Sequence, residues 1–175
     1  KLLVFIVLIS SLISGCGKYD NGPFLSLRTK NNRLEGKWNM VEYKYELTDA
    51  LDATGSESQI LNGGIMTTSY YDAIYDPWTG ELLGYEPVYA SYPYQQNLEF
   101  DTKENTCELT TITNGFSEIS TSYWSWGDGS SSKEILELNG QGFMIKRLTN
   151  KELELYYELK MEEETVKVSM ILEKE

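Results

Sequence analysis

Histidine is absent from all 175 residues of this chain. The commonest general base, the commonest metal ligand and every Ser-His or Cys-His nucleophile pair are missing with it. Cysteine occurs only twice, at Cys16 and Cys107, so no disulfide framework staples the fold. Positive charge is sparse: 15 Lys and Arg against 27 Asp and Glu leave a formal net charge of -12. Such a chain repels nucleic acid and anionic headgroups. No phosphate-cradling or zinc-ligand spacing occurs, and Asp128-Gly129-Ser130 lacks the remaining ligands of a calcium loop, so it reads as a turn. Carboxylates are plentiful, but only Asp72 and Asp76, among tyrosines, are set apart from ordinary solvated charge as a pair for acid and base work. The expectation is a protein that is not an enzyme and needs neither cofactor nor metal.

What the chain does contain begins with an apolar run from Leu2 to Leu12, broken only by Ser10 and Ser11. It is too short to span a bilayer as a helix and suits the apolar region of a secretory signal. Leu12-Ile13-Ser14-Gly15-Cys16 closes it, and this arrangement resembles the lipobox of bacterial lipoproteins. The resemblance implies removal of residues 1–15, a diacylglycerol thioether on Cys16, and attachment to a membrane through that lipid alone. Gly17 after the cysteine suggests the outer membrane, on its periplasmic or outer face. Residues 16–33, rich in turn formers, read as a tether, with Phe24, Leu25 and Leu27 docking on the domain that follows.

From Leu34 to the end, apolar residues recur at every second position. Leu153, Leu155, Tyr157, Leu159 and Val166, Val168, Met170, Leu172 are the clearest series. Asn114-Gly115 and Asn139-Gly140 mark tight hairpins, because both residues tolerate positive φ. No stretch carries the caps and periodicity of a helix. Strands are predicted near 34–45, 96–101, 106–113, 116–126, 133–139, 142–148, 151–161 and 164–173. An eight-stranded antiparallel meander removes its exposed edges most simply by closing into an up-and-down barrel, either filled or holding one small ligand. Residues 46–95 form an insertion after the first strand, holding Ser/Gly/Asn turns and then a run of tyrosines. Within it, 65–75 and 83–90 read as a hairpin about Asp76-Pro77-Trp78-Thr79-Gly80, either a lid or a two-strand extension. One domain, 34–175, is expected.

Gly36-Lys37-Trp38 on the first strand, close behind a lipidated tether, and the hairpin Ile145-Lys146-Arg147-Leu148-Thr149 with Glu152-Leu153-Glu154-Leu155 resemble lipocalin-like lipoproteins of Gram-negative bacteria. The resemblance implies a lipocalin-like barrel with Gly36 and Trp38 closing one end. A cation, Arg28 first and Arg147 second, would cap the tryptophan. It also implies a small apolar or amphipathic ligand in the barrel.

Two working surfaces follow. Inside the barrel, Trp124, Trp126, Tyr157 and Met170 are candidate ligand contacts, although a core place is the favoured reading of the two tryptophans. On the insertion, Tyr71, Tyr75, Trp78 and Tyr85 exceed what a short hairpin can bury and suit a protein or glycan of the envelope. Cys107, in a strand-like stretch, reads as a small buried hydrophobe. An apolar cavity of about 300 Å³ or more beneath 65–95 would mark the first surface. A filled barrel with an exposed aromatic patch would mark the second.

Overall fold

The computed structural model describes residues 29–49, 53–127 and 134–175; the signal segment, Cys16, Arg28 and the turn at Asp128-Gly129-Ser130 lie outside them. Ten strands make one antiparallel sheet: β1 Gly36–Asp49, β2 Glu57–Asn62, β3 Ile65–Tyr75, β4 Leu82–Asp101, β5 Thr106–Thr113, β6 Phe116–Gly127, β7 Ile135–Leu138, β8 Gln141–Leu148, β9 Glu152–Lys160 and β10 Glu164–Lys174. Each pairs with the next in sequence, and β1 pairs with both β10 and β2, so the sheet closes in a ring. Two-residue turns with both φ angles positive join three of the hairpins, at Gly63-Gly64, Asn114-Gly115 and Asn139-Gly140. That geometry matches the right-handed twist of the flanking strands.

Ten strands replace the eight expected, and the pairing explains the difference. The first residues of β1, Gly36 to Asn39, pair directly with Phe100 to Asn97 of β4. Higher up, Glu42 to Leu47 of β1 pair instead with β2. The ring therefore passes through eight strands at the level of Trp38 and ten above it, with β2 and β3 wedged between β1 and β4. The segment expected as an insertion is part of the wall. β2 was missed because its six residues carry only Ile60 and Leu61 as large apolar groups, among turn formers.

A further departure is a five-residue helix, α1, at Lys30–Leu34, within the stretch read as tether. The Thr29 hydroxyl caps it by accepting the Asn32 N–H at 3.3 Å, a capping interaction a sequence scan for long periodicity passes over. The helix lies across the Trp38 end of the ring. Leu34 is buried there, and the Trp38 Nε1–H donates to its carbonyl at 2.7 Å. Arg33 donates to the Leu148 carbonyl at 2.9 Å, and Lys174 Nζ donates to the Arg33 carbonyl at 2.9 Å. The ends of β8 and β10 are thus tied to the helix.

Inward-facing side chains fill this lower half. Trp38, Phe100, Leu136, Ile145, Leu148, Leu153, Leu155 and Leu172 are all essentially inaccessible to water, each burial favouring the closed ring by roughly 1.5–3 kcal/mol. Bulges between Met40 and Glu42 on β1 and between Ile145 and Arg147 on β8 shift the alternation by one residue. Trp38 and Met40 below the first bulge thereby share the interior with Tyr43 and Tyr45 above it.

Candidate functional site

The lower end is closed around three of the eight expected ligand contacts, Trp124, Trp126 and Met170. Trp124 is a core residue packed edge-on against Phe100, with ring centroids 6.1 Å apart, and its indole N–H donates to the Asp101 carbonyl at 3.2 Å. Trp126 is partly covered by α1: its N–H donates to Asn31 Oδ1 at 2.8 Å and the Lys30 ammonium sits 4.4 Å from its ring centroid. Met170 is buried in the same cluster. All three help to close the ring at this level. The cation over Trp38 among the described residues is Lys174, 5.0 Å from the ring centroid. Arg147, the second cap foreseen, instead donates to Glu152 Oε1 at 2.8 Å. Cys107 is buried between β4 and β6, and burial pushes its thiol up to about 12, which makes it inert at neutral pH.

The upper half of the ring has a different lining. Register places Tyr43, Tyr45, Gln59, Tyr92, Tyr94, Gln96 and Tyr157 on the inward face above the core. All are only half-buried, so the ring is filled below and open above. Tyr92 and Tyr94 meet edge-on at 6.5 Å, and Tyr157 leans on Phe143 at 6.0 Å. Burial, with the charges of Tyr94, Tyr45 and Glu57 added, pushes the Tyr43 hydroxyl up to about 12. Burial likewise holds the Tyr94 hydroxyl above its usual range. These phenols stay neutral hydrogen-bonding groups at any physiological pH.

Beyond the rim, β3 and β4 run on together as a two-stranded arm, Tyr70 to Tyr75 against Val88 to Leu82. The Asp76 carboxylate closes its turn by accepting the N–H groups of Trp78 and Thr79, both at 2.8 Å. These bonds hold Asp76 below the usual carboxylate range. Asp72 accepts the Ala73 N–H at 2.9 Å. The acid and base pair considered from sequence is thus a pair of exposed backbone caps.

Register puts Tyr71 and Ala73 of β3 on one face of the arm with Tyr85, Pro87 and Tyr89 of β4, and beyond a bulge at Leu83 the outer end of that face carries Tyr75 opposite Leu82. None is charged, in a chain of net charge -12. Tyr75, Tyr89 and Leu83 are 60%, 74% and 63% exposed, and Trp78 at the tip is 92% exposed. The four insertion residues singled out from sequence, Tyr71, Tyr75, Trp78 and Tyr85, are therefore brought together on an open surface, not on a lid. Tyr89 belongs with them; its place in the alternation with Tyr85 was the signal that could have found it.

At the foot of the arm lies a cleft of about 280 Å³ lined by Glu46, Leu47, Thr48, Ser56, Glu57, Ser58, Ser69, Tyr70, Tyr71, Pro87 and Tyr89. A second, of about 270 Å³, sits over the β1 bulge between Glu42, Lys44 and Ile171. Neither is an apolar cavity within the ring. Among the described residues no cluster of three or more Cys, Asp or Glu side chains could hold a metal, and no helix is long and apolar enough to cross a membrane. No protein-family model matches the chain, and neither does any curated protein or solved structure.

Proposed function

We propose that this chain is a non-enzymatic lipoprotein of lipocalin-like architecture, held on the outer membrane of a Gram-negative envelope through lipid on Cys16, whose recognition surface is the Tyr-rich segment 65–95. The observation that carries the reading is the uncharged aromatic face of the arm. Large exposed apolar patches are uncommon on monomers and mark interaction sites, and Tyr and Trp supply contact area with a polar tip at small entropic cost. The lower ring supports the same reading, because among the described residues its interior is occupied by its own side chains. Net negative charge keeps anionic headgroups and nucleic acid away from this surface.

A photo-reactive amino acid placed at Trp78 or Tyr89 in the native host, with a control at Tyr157, tests the assignment. Adducts formed at the arm and not at Tyr157 are expected. Adducts at Tyr157 alone overturn it in favour of a second reading, a small amphipathic ligand in the upper ring. That second reading is supported by the half-buried tyrosines and glutamines facing inward there, which offer apolar faces and neutral hydrogen-bonding tips together.

A further inference from the structure

We propose that the cleft at the foot of the arm, with the uncharged tyrosine face leading into it, binds a neutral saccharide. This rests on the arm being the recognition surface and adds the chemistry of what it recognises. Tyr71 and Tyr89 supply flat rings beside the cleft, the kind of surface that the apolar face of a sugar ring covers. Deeper in, the lining turns to hydroxyls and carboxylates. Ser58 and Ser69 share a hydrogen bond at 2.8 Å. On the same outward face one oxygen of Glu46 meets Lys44 Nζ at 2.9 Å, whereas Glu57, at the edge of the cleft, turns its carboxylate to the inward face, where it accepts the Gln59 side-chain amide at 2.9 Å. The second oxygen of Glu46 can accept from a ligand hydroxyl, a charge-assisted bond about twice as strong as a neutral one.

The other ligand classes fit less well. A wholly apolar molecule would strip water from the Glu46 carboxylate without replacing its hydrogen bonds, which is costly. An anion meets Glu46. A cation finds Glu46 already engaged by Lys44. The volume of about 280 Å³ lies just below the range of ligand clefts, about 300–1,000 Å³, and so suits one or two sugar rings. Tyr75 and Tyr85, further along the same face, would stack on later rings of a longer glycan.

The test is an array of neutral glucan, mannan and galactan oligosaccharides probed with the full chain, with polygalacturonate as the anionic and glucosamine oligomers as the cationic counter-probe. Hits are followed by calorimetric titration. Binding to a neutral probe is expected. Tyr71→Ala and Tyr89→Ala should each weaken it at least about tenfold, or 1.4 kcal/mol, and Tyr94→Phe in the upper ring should leave it unchanged. Both altered tyrosines stand on the open face, so an unchanged thermal transition certifies each variant as folded. Binding to a charged probe alone, no binding to any probe, or neutral binding that survives both alanine variants overturns the saccharide. If the array is silent while cross-links still form at Trp78, the saccharide fails and the arm reading stands; if both are silent, both fail.

Discussion

Two tryptophans of one chain provide a sharp test of the architecture, because the structure assigns them opposite energetic weights. Trp38 has no exposed surface, donates its N–H to the Leu34 carbonyl at 2.7 Å, and has the Lys174 ammonium over its ring. Truncating such a residue to alanine costs about 3–5 kcal/mol in core series. The stranded Leu34 carbonyl, worth roughly 1–3 kcal/mol when buried and unpaired, places Trp38→Ala toward the top of that range. Trp78 is 92% exposed, and surface substitutions of its kind fall within about 0.5 kcal/mol. Urea denaturation followed by circular dichroism measures both. With a slope of about 2–3 kcal/mol per molar, Trp38→Ala should lower the midpoint by roughly 1.5–2 M and Trp78→Ala should scarcely move it. Should Trp38→Ala leave too little folded protein, Trp38→Phe keeps the ring, loses the N–H and should still cost about 1–2 kcal/mol. A loss below about 1 kcal/mol for Trp38→Ala would refute a plugged lower end. A comparable loss for Trp78→Ala would refute an arm that stands free of the core.

Cys107 should remain unalkylated by iodoacetamide at pH 8 in the folded protein and become fully labelled in urea, as read by peptide mass mapping; native labelling would contradict its burial between β4 and β6. Tyr43 is pushed up to about 12 from 10.0, so above pH 10 the unfolded chain releases this proton before the folded one does. Its contribution is therefore complete below about pH 10 and is lost as pH rises through 12. The urea midpoint of wild type should fall more steeply between pH 10 and 12 than that of Tyr43→Phe, and parallel curves would disprove the shift. Cys16→Ala in the native host should move the protein from the membrane to the soluble fraction on ultracentrifugation, whereas retention in membranes would rule out anchoring by lipid alone.

How much of this could be read in the residues depends on the scale at which each signal is written. Strands β5 to β10 were legible because alternation and Asn-Gly turns are local: the pleat sets period two, and positive φ selects the turn residues. The course of the wall between β1 and β4 was not, since it turns on which strand β1 pairs with at each level, a long-range choice that no window of residues records. The same limit separates the candidate contacts. Alternation put Trp124 and Met170 on the inward face, which is where they are. It could not tell that this level of the ring is sealed by α1 and by neighbouring strands, while Tyr157, inward by the same rule, faces the open half. Trp126 was ambiguous for another reason: its partner, Asn31, is 95 residues away in sequence. The insertion tyrosines were the easier inference, because an excess of aromatics over what two strands can cover is a matter of counting.

The arm's edges bear on how its aromatic face can be used. Above Tyr94, no described strand pairs with the outer edge of β4, and above Ser69 none pairs with the outer edge of β3. Exposed edges of this kind recruit other strands. Tyr94 N–H points to Gly64 on the β3 side, and the Pro93 carbonyl points to Asn114 on the β5 side, so odd positions of β4 aim their backbone outward. Pro87 and Pro93 fall on that parity and offer no N–H to an incoming strand. On β3, the outward N–H of Ala73 is taken by Asp72. Each edge is therefore interrupted at the backbone, β4 at Pro87 and Pro93 and β3 at Ala73, while the tyrosines between them remain uncovered. A partner that lengthened the sheet would meet a missing or occupied donor at Pro87, Pro93 and Ala73; one that lies flat across the side chains would not. That asymmetry argues for recognition by ring faces and hydroxyls over strand addition, and it is why the tests above alter side chains and leave the backbone pairing intact.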